Sequence, residues 1–259
     1  MLESQKIKLS FSIVSHGQGA LIEKLLSDFE CLQFDLFEII ITLNFPENED
    51  FIRSHANLPI RTLRNTHKKG FGENHNAAFN QSSGEKFIIV NPDIRLPKQS
   101  FAVLWEHLTL PLVGACAPMI MSASGQPEDS ARAFPTPSII IKRFLKGHKE
   151  KAQDYDIAQQ PIRVDWVAGM FIAFNRNSFA EVNGFDQSYF MYYEDVDICM
   201  RLKNAGYDIV LIPEVRVIHD ARRTSRKNLL YLRWHMTSAL RFTAKNYWHK
   251  FKRLFRRIA

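Results

Sequence analysis

The chain has 259 residues, of which 46% are hydrophobic and 24% charged, with 11 Gly and 11 Pro. That composition suits a globular domain and excludes a fibrous or disordered chain. Its net charge of +7 is uneven: residues 221–259 hold 12 Lys or Arg and no acid, leaving 22 basic and 27 acidic residues elsewhere, a net of −5. A mildly acidic body with a basic tail points to an anionic surface at the C-terminus and argues against a body built around nucleic acid. Cys31, Cys116 and Cys199 lie far apart in apolar surroundings, which predicts buried, reduced thiols and an intracellular setting. The first residues lack the basic and apolar regions of a secretion signal, and no apolar run reaches the ~20 residues a bilayer span requires.

Leu9 to Val14 reads as a buried strand ending at Ser15-His16-Gly17, and Leu21 to Phe29 repeats apolar residues at helical spacing. Strands follow at Phe37–Leu43, ending on Asn44, and at Ile60–Leu63. A helix over Glu73–Gln81 precedes the strand Phe87–Val90, which stops at Asn91-Pro92-Asp93. Residues 122–137 read as loop, and 142–161 as a charged segment without a period. Next come a strand over Val167–Phe174, a helix over Asn177–Val182 and the turn Asn183-Gly184-Phe185-Asp186. A helix over Glu194–Ala205 ends at Gly206, and strands at 209–212 and 215–218 lead to His219. Near-continuous apolar strands alternating with helices predict an α/β domain over 1–220, with a mostly parallel sheet covered on both faces. In such sheets ligands gather beyond the carboxyl ends of strands, so the polar endings at residues 15–17, 44 and 91–93 are expected to share one crevice.

Several motifs carry chemistry at those ends. Asp93 at a strand tip suits a divalent cation bridging to a diphosphate, or a turn ahead of Pro97. Gly70 and Gly72, before a helix start, suit close approach of backbone to a ligand, or a plain turn. Glu194-Asp195-Val196-Asp197 places three acids at a helix start, where they answer the helix dipole. They follow the apolar run Phe190-Met191-Tyr192-Tyr193, where unpaired carboxylates are costly unless they meet a cation or substrate. Arg201, four residues after Asp197, is its expected partner, which leaves Glu194 and Asp195 for a site.

Taken as an ordered set over residues 9–220, these motifs resemble a family 2 glycosyltransferase with the GT-A fold. The resemblance implies a sugar-nucleotide donor held by Ser15, His16, Gly17, Asn44, Gly70, Phe71, Gly72, Asn76, Asn91 and Asp93. It implies Mg²⁺ or Mn²⁺ on Asp93 and His219, and an acceptor beside Asp165, Trp166 and Gly169. Asp195 is then the base of an inverting displacement and Glu194 a partner that orients the acceptor. Asn91 and Asn44 depart from the family, standing where it usually has Asp. The run from Asp129 to Pro135, with Val14-Ser15-His16-Gly17 and Asn91-Pro92-Asp93, is most similar to bacterial rhamnosyltransferases of O-antigen or related polysaccharide synthesis. That implies L-rhamnose from a dTDP-sugar, moved onto a polyprenyl-diphosphate-linked saccharide at the cytoplasmic face of the membrane. A UDP-sugar donor, or a non-catalytic saccharide- or membrane-binding module, are the alternatives. A nucleotidyltransferase fits less well, because no basic residue follows Ser15–Gly19 before Lys24.

In the tail (221–259), Leu229, Leu232, Met236 and Leu240 predict a helix docked on the body. Tyr247, Trp248, Phe251, Leu254, Phe255 and Ile258 then fall within an arc of roughly 120°, with Lys and Arg opposite, as an interfacial membrane helix requires.

Overall fold

A computed structural model describes residues 8–32, 34, 36–136, 160–220 and 229–256, with the side chains of 229–231 and 247–256 not described. The charged segment expected over 142–161 therefore lies almost wholly outside the described residues. In chain order the elements are β1 (Leu9–Ser15), α1 (Gly19–Cys31), β2 (Phe37–Leu43), α2 (Asp50–Arg53), β3 (Ile60–Arg64), α3 (Phe71–Gln81), β4 (Lys86–Val90), β5 (Ile94–Arg95) and α4 (Ala102–His107). They continue as β6 (Val113–Ser122), β7 (Ala131–Arg132), β8 (Ile162–Val164), β9 (Trp166–Val167), β10 (Phe171–Asn175), α5 (Arg176–Glu181), α6 (Glu194–Asn204), β11 (Asp208–His219) and α7 (Leu229–Arg256).

The main sheet runs β3-β2-β1-β4-β10-β6-β11-β5, with β8 also on β11. β1, β2, β3, β4, β6 and β11 point one way, while β5, β8 and β10 oppose them. This is the mostly parallel sheet the sequence predicts. Strand alternation divides the core in two. Phe11, Ile39, Ile88, Cys116, Phe171 and Val210 join one cluster with Ile22, Leu25, Leu26 and Phe29 of α1 and Leu104 of α4. Their neighbours Ile40, Phe87, Ala115, Ile172 and Ile209 join the other, with Ala78 of α3, Phe179 of α5, Ile198 and Leu202 of α6, and Phe242 of α7. At roughly 1.5–3 kcal/mol per fully buried large apolar side chain, both faces contribute to holding the sheet.

Three segments differ from expectation. β6 has no counterpart in the sequence reading, because Gly114, Ala115, Ala117 and Pro118 weaken its strand signal. The two strands expected at 209–212 and 215–218 are one, β11, whose pairing jumps from Ile212↔Pro118 to Arg216↔Met119. Pro118 and Pro213 lack the N–H a regular ladder needs, and the irregularity falls between them. The strand expected over 167–174 is two. β9 pairs with β7 in a small second sheet, and β10 returns to the main one. The break at Ala168-Gly169-Met170 turns a backbone N–H toward α6. Among the thiols, Cys116 and Cys199 are buried but Cys31 is exposed; all three are free.

Candidate active site

The carboxyl ends of β1, β2 and β4 lie at one end of the sheet, as parallel pairing requires. Ser15 Oγ accepts from Gln18 N at 3.2 Å, which closes the turn after β1. Gly17 has φ 76°, and an added Cβ would stand 3.0 Å from the Phe45 ring, so glycine is required there. Asn44, 1% exposed, uses its whole amide. Its Oδ1 accepts from Lys69 N at 2.9 Å and Asn65 Nδ2 at 2.8 Å. Its Nδ2 donates to Lys69 O at 2.9 Å and to His16 Nδ1 at 3.2 Å. The Lys69 backbone fixes the amide's orientation, so His16 Nδ1 is the acceptor and Nε2 carries the proton. Desolvation and the Lys68 ammonium both lower the His16 pKa, consistent with a neutral ring. Asparagine at this position thus clamps the 65–70 loop. Asn44→Asp is expected to destabilise the fold by roughly 1–3 kcal/mol in urea titrations, because a buried carboxylate meets the Lys69 carbonyl and cannot donate.

The Gly70-Phe71-Gly72 loop is tight against its own chain. A Cβ on Gly70 would stand 2.8 Å from Phe190 O, and one on Gly72 would stand 2.6 Å from Phe185 Cβ. Phe71 N, at the start of α3, already donates to Phe190 O at 2.9 Å. Asn76 holds the same segment, donating to Phe185 O at 2.8 Å and accepting from Phe185 N at 2.9 Å. These glycines and Asn76 therefore fix residues 185–190 against α3.

That packing carries Phe71 to the acidic motif. Its ring lies edge-on to His75 with centroids 4.4 Å apart, and a Cβ on Gly169 would stand 3.1 Å from it and 3.8 Å from Asp195 Cβ. His75 is fully buried against Ser12 Oγ at 2.8 Å. Burial, with a smaller effect of His16, pushes it down to about 3, so it remains neutral. Asp195 Oδ2 accepts from Gly169 N at 3.1 Å and Oδ1 from Val196 N at 2.8 Å. Desolvation raises the Asp195 carboxyl despite those bonds. Glu194 is 6% exposed, and its Oε2 has no partner among the described residues. Desolvation and then the Asp195 charge raise it well above its ordinary value. Tyr192 and Tyr193, just before α6, are both left-handed, with φ 71° and 67°. Such non-glycine residues cost of order 1–3 kcal/mol each and persist where surrounding contacts over-determine them. Asp197 pairs with Arg201 at 2.6 Å, as its i,i+4 spacing predicts.

Asp93 and His219 come together through β5–β11 pairing, where Ile94 faces His219. His219 Nε2 lies 3.2 Å from Asp93 Oδ2, and its Nδ1 lies 2.7 Å from Glu128 Oε2. Hydrogen bonding to Asp93, then to Glu128, outweighs burial and raises the imidazole to about 9. The backbone links the two halves of the site: Asn91 N donates to Met170 O at 2.9 Å, one residue from the Gly169 N–H on Asp195. Asp165 and Trp166 hold the 133–134 backbone. Asp165 Oδ2 accepts from Phe134 N at 3.0 Å, and Trp166 Nε1 donates to Ala133 O at 3.0 Å.

The sequence pattern of glycosyl transferase family 2 matches residues 10–179, more than half of the chain. The chain belongs to glycosyl transferase family 2. A second pattern, the N-terminal domain of galactosyltransferase, matches residues 156–225. Among similar proteins is the rhamnosyltransferase WbbL of Escherichia coli K12, 29% identical over 250 residues, covering 90% of this chain and 91% of that protein. Another is the N-acetylglucosaminyl-diphospho-decaprenol L-rhamnosyltransferase of Mycobacterium tuberculosis, 29% identical over 206 residues, covering 76% and 67%. The fold is also that of GalNAc-T7, solved with UDP, GalNAc and Mn²⁺, at TM-score 0.65 and 17% identity; the alignment covers 85% of this chain and 45% of that one. A mannosyltransferase of Pyrobaculum calidifontis, solved with GDP-Man and Mn²⁺, aligns at TM-score 0.59 and 15% identity, covering 86% and 59%. The GT-A fold expected from the motifs is present.

Among the described residues of this family 2 glycosyltransferase, Asp93 and His219 are a pair of side chains that fits a divalent cation. Asp93 Oδ1 is buried without a partner among the described residues, and His219 Nε2 faces the same carboxylate. Glu128 holds Nδ1, the arrangement that orients metal-bound histidines. Asp93 and Glu128 lie on opposite ring nitrogens, and no three His, Cys, Asp or Glu converge among the described residues. A cation here would take Asp93, His219 and substrate phosphates, a set that suits Mg²⁺ or Mn²⁺. Sequence reasoning missed Glu128, which lies in a segment read as loop and gives no periodic signal.

Proposed function

We propose that this family 2 enzyme transfers L-rhamnose from a dTDP-sugar to a polyprenyl-diphosphate-linked saccharide, with inversion at the anomeric carbon. The names of the Escherichia coli and Mycobacterium relatives support the sugar, and the second supports the lipid-linked acceptor. The observation that carries the mechanism is the Asp195 carboxylate, fixed on the Gly169 N–H beside Phe71 with a raised affinity for protons. The donor lies across the carboxyl ends of β1, β2 and β4, where His16 offers Nε2–H. The acceptor hydroxyl gives its proton to Asp195 as its oxygen bonds to the anomeric carbon. The bond from that carbon to the diphosphate oxygen breaks, and the nucleoside diphosphate leaves with the electron pair. Asp93 and His219 would hold a divalent ion, which would supply Lewis-acid stabilisation of that leaving group when bound. An ordinary Asp is a weak base; desolvation makes this one better matched to the task. Glu194 orients the acceptor.

Thermal shift across dTDP- and UDP-sugars with Mn²⁺ tests the donor, since a true ligand stabilises by mass action. dTDP-rhamnose is expected to give the largest shift, and a larger one from a UDP-sugar would replace the donor assignment. Asp93→Ala should remove the metal-dependent part of nucleotide binding in calorimetric titrations; equal metal enhancement in both proteins would remove Asp93 from the metal site.

We also place the enzyme on the membrane surface through α7. No helix among the described residues is long and apolar enough to cross a bilayer. The helix expected over 229–240 docks, but through the opposite face to the one expected. Ala239 and Phe242 are buried, whereas Leu232, Met236 and Leu240 are 50%, 45% and 69% exposed. That i, i+4, i+8 stripe runs outward on a helix rich in Lys and Arg, and the side chains of Leu229, Tyr247, Phe251 and Leu254 lie outside those described. Flotation with anionic vesicles should fall when the chain is truncated after Lys245, and again when Leu232, Met236 and Leu240 are all changed to Gln. Unchanged flotation in both would refute membrane contact through α7.

A further inference from the structure

Lys245, on the docked face of α7, belongs to none of the motifs above. Its Nζ donates to Asp186 Oδ2 at 2.8 Å and to Asp197 Oδ1 at 2.6 Å, and lies 6.0 Å from the Tyr189 ring centroid. Asp197 is 3% exposed and takes Arg201 Nε on its other oxygen. Burial works to raise Asp186, but the bonds from Lys245 and Ser188 outweigh it and hold that carboxyl down at about 2. The two acids bracket residues 186–197, the segment that includes the left-handed pair Tyr192-Tyr193 and then Glu194 and Asp195.

The rest of α7 braces the middle of that segment. Ser238 Oγ donates to Met191 O at 2.9 Å, and Arg241 bonds Ser188 O. His235 lies against Tyr192 and Tyr193, with centroids 5.2 and 5.4 Å away, and Phe242 lies 5.6 Å from Tyr193. Apolar packing alone resists displacement weakly along the helix. One ammonium shared by two carboxylates fixes both ends at once, and its removal leaves a buried Asp197 with half its compensation.

We propose that Lys245 is a positioning residue for transfer: by tying Asp186 to Asp197 it closes the 186–197 segment, so that the left-handed Tyr192-Tyr193 turn delivers Asp195 to the Gly169 N–H. The catalytic motif is then completed by the C-terminal helix. This rests on the reading of Asp195 as base.

The test compares full-length K245M, K245R and D195N with the wild type. Rates are measured with dTDP-rhamnose and a polyprenyl-diphosphate-linked N-acetylglucosamine, and amide hydrogen exchange is followed across residues 187–197. K245M should lose roughly 10- to 100-fold in kcat with donor KM changed less than about threefold, and exchange at 190–196 should quicken while β1 and β4 keep their protection. K245R, which keeps the charge and can bridge both acids, should recover most of the rate. If D195N is inactive while K245M has normal kcat, or if K245M leaves exchange at 190–196 unchanged, the positioning role is overturned. If D195N itself keeps full turnover, the base assignment fails, and faster exchange in K245M then shows a clamp without that catalytic purpose. Should K245M not fold, Asp186→Asn, which removes one arm of the clamp, carries the same comparison.

Discussion

Asp195→Asn is expected to lose about 100- to 10,000-fold in turnover while binding donor nucleotide as the wild type does. The amide keeps the size of the side chain and can still accept from Gly169 N through its oxygen, giving up only the local bond from Val196 N, so the 168–170 turn and Phe71 keep their places. What it cannot do is take a proton from the acceptor hydroxyl. Because the hydrogen bonds of Asp195 go to Gly169 N and Val196 N, and neither to the Asn44–Lys69 clamp nor to the Asp93–His219 pair, nucleotide affinity should stay within a few-fold. Steady-state rates beside calorimetric donor titrations check it. Near-normal turnover would remove Asp195 from the chemistry; loss of donor binding would make its role structural.

Glu194→Gln should do two things at once: raise thermal stability and lower activity. Glu194 is buried beside Asp195 with one oxygen unpartnered, and its affinity for a proton is higher folded than unfolded. The sign follows from linkage. Above an unfolded value near 4.3 the unfolded chain ionises freely, while the folded chain resists, so this carboxyl opposes folding increasingly as pH rises. The neutral isostere removes that opposition. At pH 7–8 it should melt higher, by ~2–4 °C for each kcal/mol released, and near pH 4 the two proteins should melt together. Turnover should fall roughly 10-fold or more through loss of acceptor alignment. Calorimetric melting at pH 4, 6 and 8 checks the first half. A variant less stable than wild type at pH 8 would show that the carboxylate has a compensating partner.

The pairing of stability cost and chemistry explains what was legible in the sequence. Continuous apolar runs such as Ile39–Ile41 and Phe87–Val90 fix the strands, because a sheet covered on both faces buries every residue in them. The i,i+4 pair Asp197–Arg201 was equally legible, since helix geometry alone brings it together. β6 was not, because alanine, glycine and proline occupy a central strand there and only neighbouring strands reveal it. Asn44 stood out as a departure from the family, yet its role in clamping Lys69 depends on a loop 25 residues away in sequence. Glu128, 91 residues from His219, and Lys245, 59 from Asp186, meet their partners only through the fold. The docked face of α7 was misread for a related reason. Its leucines and methionine look like core by type, but His235 and Phe242 lie against the left-handed tyrosine turn and Trp234 against Phe190, and the aliphatic stripe is left outward.

The anomeric configuration of the product tests the central account most directly. With the proposed donor dTDP-rhamnose and a polyprenyl-diphosphate-linked N-acetylglucosamine as test acceptor, a single displacement assisted by Asp195 predicts a glycosidic bond of opposite configuration to the donor, read by NMR on the released saccharide. A product that retains the donor's configuration would contradict it.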